Sequence, residues 1–174
     1  GGSILLQGAD LRASAGLLSL DATAVTLSGT NRLWGASRAE VTGALTLDPA
    51  ATLQTSGLAA NGDLLRGNLV IDGNLQVGDG ATLRMAIGQG VGDQIQVTGG
   101  TDFSGASTLQ LDLLSGVKAP SPRAYTLITN SVTGALPALT GSGVVKGMFL
   151  QRASLDVVVP SEIRLYPTSD KPKF

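Results

Sequence analysis

The chain has 174 residues, with 12 basic and 13 acidic side chains for a net charge of −1, and contains neither Cys nor His. Disulfides, thiolate chemistry and zinc sites of the usual nitrogen and sulfur ligands are thereby excluded. The scattered Lys and Arg residues offer no basic footprint for phosphates, so nucleic acid is not an expected partner. Hydrophobic residues make up 43% and charged residues 14%, with 24 Gly but only three Phe, two Tyr and one Trp. Such a composition folds, with an interior built from Leu, Val, Ile and Ala in thin layers rather than from aromatic bulk.

No apolar run approaches the roughly 20 residues of a membrane helix, and no segment reads as a signal peptide. The opening Gly1-Gly2-Ser3 and the closing Lys171-Pro172-Lys173-Phe174 read as the ends of an excised fragment. In chain order, the first stretch rich in Ala and Leu, residues 11–20, is broken as a helix by Gly16 and by the alternation at Leu18/Leu20. Strand-like alternation follows at Leu45/Leu47, Leu69/Ile71, Leu75/Val77, Leu83/Met85/Ile87, Ile95/Val97 and Leu109/Leu111/Leu113. Asp48-Pro49, Asn61-Gly62-Asp63, Asp72-Gly73-Asn74 and Gly78-Asp79-Gly80 separate these runs with the residues that corners require. Gly67-Asn68-Leu69-Val70-Ile71 and Gly73-Asn74-Leu75-Gln76-Val77 share one pattern six residues apart, read here as neighbouring strands around one corner. Beyond residue 100, prolines and aromatics concentrate. There Lys118-Ala119-Pro120-Ser121-Pro122 reads as a loop, and Tyr125–Ile128, Met148–Leu150, Leu155–Val159 and Ile163–Tyr166 read as strands, with hairpins suited to a cap.

A Thr-Leu pair recurs at Thr26-Leu27, Thr52-Leu53, Thr82-Leu83 and Thr108-Leu109, at offsets of 26, 30 and 26 residues. Three of the copies follow an apolar pair, Leu18/Leu20, Leu45/Leu47 or Leu75/Val77. A period of that length is the mark of repeat architectures. An antiparallel sandwich would recur every 8–12 residues instead. The expectation is an all-β parallel β-helix, a solenoid with an internal Leu stack beside an external Thr row, coils over residues 1–100, and modified terminal coils and a cap over 101–174 in one continuous domain.

The segment Gly92-Asp93-Gln94-Ile95-Gln96-Val97-Thr98-Gly99, continued by Phe103, Gly105, Leu109-Gln110-Leu111-Asp112-Leu113 and Tyr125-Thr126-Leu127-Ile128, resembles the C-terminal passenger segment of Gram-negative autotransporters, the pertactin-like stem with its autochaperone region. The resemblance covers about residues 67–166. It implies a right-handed parallel β-helix at the bacterial cell surface, secreted unfolded through an outer-membrane translocator barrel of the same or a partner chain. It also implies that the C-terminal coils fold first. Asp93, Ile95, Val97, Leu109, Leu111, Tyr125 and Leu127 would be the folding nucleus and cap. The chain lacks the translocator barrel itself, and two-partner-secreted adhesins share the same texture.

The expected function is therefore a non-catalytic stem with no cofactor and no metal. An alternative is an adhesin module for a host glycan or protein. Its contacts would be Trp34, which could stack on a sugar or simply cover a loop, with Arg32 and Arg38 for a carboxylated glycan. A polysaccharide-active enzyme is the third reading. Asp63, Asp72, Asp79, Asp93 and Asp102 sit at expected turns that could align along one face, yet Asp beside Gly or Asn is favoured for turn geometry alone. The segments Gly88–Asp93 and Gly99–Asp102 lack the tandem copies of calcium-binding nonapeptides.

Overall fold

The computed structural model of the chain describes residues 2–117, 125–130, 132–141, 148–153 and 162–167. Among these there is no helix, and the chain visits three sheets in a fixed order. The first circuit is β1 (Ser3–Gln7), β2 (Asp10–Ala13) and β3 (Leu17–Leu20), and the second is β4 (Ala24–Ser28), β5 (Thr30–Gly35) and β6 (Arg38–Val41). The third runs through β7 (Ala44–Leu47) and β8 (Thr52–Gln54), detours through a hairpin of β9 (Gly57–Leu58) and β10 (Leu64–Leu65), and closes with β11 (Asn68–Ile71). The fourth is β12 (Leu75–Val77), β13 (Thr82–Ile87) and β14 (Gln94–Val97); the fifth is β15 (Thr101–Phe103), β16 (Thr108–Leu113) and β17 (Tyr125–Ile128). Then follow β18 (Val132–Gly134), β19 (Ala138–Thr140), β20 (Met148–Ala153) and β21 (Glu162–Pro167).

The first and second sheets, β1-β4-β7-β12-β15-β18 and β2-β5-β8-β13-β16-β19, have six strands each and are wholly parallel. The third, β3-β6-β11-β14-β17-β21-β20, is parallel until β21, which pairs antiparallel with both β17 and β20. Pairing continues without a break across residue 100, and the expected C-terminal hairpin is β20 with β21. The expected loop at 118–122 and strand at 155–159 lie outside the described residues.

Alternation explains why each strand sits where it does. Successive side chains in a strand point to opposite faces, so every second residue enters the core. In the first sheet Leu27, Leu47, Val77 and Phe103 are register partners, and in the third Leu20, Val41, Ile71 and Val97 are. In the second, Leu53, Leu83, Leu109 and Leu139 form one column and Thr52, Thr82 and Thr108 the adjacent outer row. Full burial of each such aliphatic side chain contributes about 2 kcal/mol, and Leu53, Leu83 and Leu109 are wholly buried.

The first Thr-Leu copy departs from the expectation. Thr26-Leu27 lies in the first sheet and pairs with Thr46-Leu47, not with Thr52-Leu53. Likewise Leu18/Leu20 belongs to the third sheet, whereas Leu45/Leu47 and Leu75/Val77 are true partners in the first. Early circuits are shorter, with Ala24 on Ala44 and Thr30 on Thr52, while the hairpin lengthens the third so that Thr52 meets Thr82. The Gly-Asn-Leu pair does turn one corner, from β11 in the third sheet to β12 in the first.

Corners are stitched from one circuit to the next. Between the first and second sheets, Gly8, Gly29, Ala50 and Gly80 occupy the same left-handed position (φ +64, +69, +63 and +74), a conformation that disfavours a Cβ and explains three glycines out of four. Between the third and first, Thr98 donates to Asp72 at 2.9 Å and Gly100 N to Asn74 Oδ1 at 2.9 Å.

Candidate functional site

The corner between the second and third sheets holds the most unusual group. Asp93 stands just before β14 with its side chain turned inward, 1% exposed. Its Oδ1 accepts from Gly67 N at 2.7 Å, and its Oδ2 from Ala86 N at 2.9 Å and the Thr55 hydroxyl at 2.8 Å. Thr55 follows β8, Gly67 precedes β11 and Ala86 lies in β13, so one carboxylate joins the third and fourth circuits. Three donors converge, and a carboxylate is the side chain with acceptors alone to meet them. Burial raises its pKa to about 6, against the opposing pull of the two backbone N–H groups, the Thr55 hydroxyl and the Arg66 charge.

The rest of the expected nucleus is spread through the fourth and fifth circuits. Ile95 stacks between Leu69 and Ile128, and Val97, Leu109, Leu111 and Leu127 belong to the same buried core. Tyr125 is buried, and its hydroxyl donates to Gly88 O and accepts from Gly90 N at 3.3 Å, bracing the 88–92 loop.

The second feature is the hairpin of β9 and β10, which lies across the outside of the stack. Arg12 of the first circuit donates to Leu58 O at 2.6 Å, and Leu64 N donates to the hydroxyl oxygen of Ser115 of the fifth at 2.8 Å. Trp34 points outward from β5 beneath this hairpin and is 6% exposed. Its indole N–H donates to Arg66 O at 3.0 Å. Gly57 lies so close to the ring that an added Cβ would overlap it. The hairpin thus covers Trp34.

Of the three proposed ligand contacts, Trp34 and Arg32 lie on the same outer side of β5 and are both covered, while Arg38 lies on another sheet. Arg32 is buried on the outer side of the second sheet, donating to Ser56 O at 2.8 Å, to Asp10 at 3.1 Å and to Gln54. Arg38 is on the third sheet, half exposed and paired with Glu40 at 3.2 Å.

The aspartates are likewise dispersed. Asp63 sits in the hairpin tip, held by Asn61. Asp72, Asp79 and Asp93 occupy three different corners, and Asp102 is within β15 rather than at a turn, bonded to Gln76 and Thr133. They do not line one face. Among the described residues no group of three or more acidic side chains could hold a metal ion, and no helix is long and apolar enough to cross a membrane. Thr55, Gly67 and the inward-facing Asn31, which accepts from Ala9 N and donates to Ser28 O, were not legible as special in the sequence. Only the Gly-Asp of 92–93 carried a signal.

Compared with the known protein families, the curated proteins and the solved structures, the chain matches none.

Proposed function

We propose that the chain is a non-catalytic structural stem: a right-handed parallel β-helix of a secreted bacterial surface protein, whose C-terminal coils nucleate folding after passage through an outer-membrane barrel. The observation that carries this reading is the in-register repetition of three parallel sheets. Each circuit buries its apolar side chains largely against its neighbours, so a folded circuit presents a template edge to the next.

Direction of growth is supported by the asymmetry of the ends. Sheet edges β1, β2 and β3 have no partner on their outer side among the described residues, and Leu5 and Leu17 there are exposed. At the other end β18 and β19 are likewise outermost among the described residues, but the third sheet is continued antiparallel by β21 and β20. A nucleus near Asp93, Ile95, Leu109 and Tyr125 would therefore be covered on its C-terminal side in the third sheet, while all three sheets leave an edge open toward the N-terminus.

Val97→Asp tests the reading by placing an unpaired carboxylate in the third-sheet column. Refolding from denaturant should slow at least tenfold, with the midpoint lowered. An unchanged rate and midpoint would remove the nucleus from this position.

A further inference from the structure

The hairpin of β9 and β10 does not lie flat on the sheets. Between its arms and β2 opens a cleft of about 520 Å³ lined by Leu58, Ala60, Leu65, Trp34, Arg12 and Ser14, among others. That size falls in the range of small-molecule sites, and mostly apolar walls with a few polar groups are their usual make-up. Leu65 is exposed there, 36%.

Polar chemistry at one end of the cleft is asymmetric. Arg12 uses Nη1 on Leu58 O and Nε on Asp10 at 3.2 Å, and among the described residues its Nη2 has no partner. Asp10 is shared between Arg12 and Arg32, so two guanidinium groups face one carboxylate and the local balance is positive. Asp63 is held by Asn61 in the hairpin tip and does not line the cleft.

A sugar ring would need an open aromatic face and several hydrogen-bonding groups. The Trp34 ring is covered by Gly57, and its N–H is committed to Arg66 O. What remains is an aliphatic trough ending in a guanidinium N–H and the Ser14 hydroxyl. We propose that this cleft binds a small amphipathic monocarboxylate, an alkyl-sized tail lying against Leu58 and Leu65 with its carboxylate on Arg12. This site is independent of the stem reading.

Trp34 is the chain's one tryptophan, so its emission reports the cleft directly. Octanoate, octan-1-ol and glucuronate are titrated separately into the full chain. Octanoate should shift Trp34 emission saturably. Arg12→Gln should weaken octanoate about tenfold, the scale of one lost charge-assisted hydrogen bond, with octan-1-ol unchanged. Ala60→Phe, at an exposed position on the rim, should abolish octanoate binding while leaving the melting temperature unchanged, which keeps the test valid if Arg12→Gln loosens the hairpin. No saturable response to octanoate, equal octanoate affinity in either variant, or tighter binding of glucuronate would overturn the proposal.

Discussion

The hydroxyl of Thr55 lies 2.8 Å from Oδ2 of Asp93, joining residues 38 positions apart across two circuits of the chain. The same carboxylate takes the N–H groups of Gly67 and Ala86. A parallel stack needs such cross-links at its corners, where strand pairing lapses and backbone donors would otherwise be buried unpaired.

Removing this acceptor should be costly. Asp93→Ala leaves the buried N–H groups of Gly67 and Ala86 without a partner, while the Thr55 hydroxyl keeps a long bond to Arg84 O at 3.4 Å. At about 1–3 kcal/mol for each unpaired donor before relaxation, a loss of about 2–5 kcal/mol is expected. Denaturant unfolding followed by circular dichroism measures it. A loss below about 1 kcal/mol would mean that the corner is held by strand pairing alone.

The same residue sets a pH dependence. Burial raises its pKa in the folded chain to about 6, above the ordinary aspartate value of 3.8. The folded state therefore binds more protons than the unfolded state between these values, and stability from this group falls as pH rises. It is fully present below about 3.8 and lost as pH passes 6, a change of about 3 kcal/mol. Wild type minus Asp93→Asn, compared across pH 3 to 8, isolates this group. A flat difference would show that the donors offset burial completely.

Gly67 makes a separate prediction. A Cβ there would overlap the backbone carbonyl of Thr55, and backbone at a paired corner has little room to yield. Gly67→Ala should cost about 2–3 kcal/mol by overpacking. Gly2→Ala, where nothing lies within 4 Å of the added carbon, should be neutral. Thermal melts of the two variants decide the comparison.

Register can be read with thiols, because the chain contains no Cys of its own. Thr82 and Thr108 are outward-facing partners in adjacent strands, and neighbouring strands lie about 4.8 Å apart, within disulfide reach. Thr82→Cys with Thr108→Cys should cross-link on mild oxidation. Thr26→Cys with Thr52→Cys, also 26 residues apart but on different sheets, should not. Equal cross-linking of both pairs would contradict the register.

That last pair shows what was legible and what was not. Aliphatic alternation and corner residues announced an all-β chain, and the Thr-Leu recurrence located the stack from Thr52 to Thr108. It failed at Thr26 because circuit length is not constant: the first circuits are short, while the hairpin at 57–65 lengthens the third. A fixed spacing then mixed two sheets. Asp93 was visible through its Gly-Asp signature, but Thr55 and Gly67 acquire their role only when distant corners meet. Trp34 showed a large apolar ring without showing what covers it.

Order of folding is the most direct test of the stem account. Pulsed hydrogen exchange during refolding should find amides of Gln94–Val97, Thr108–Leu113 and Tyr125–Ile128 protected before those of Ser3–Gln7, Ala24–Ser28 and Arg38–Val41. Protection arising first in the N-terminal circuits, or everywhere in one phase, would contradict growth from a C-terminal nucleus.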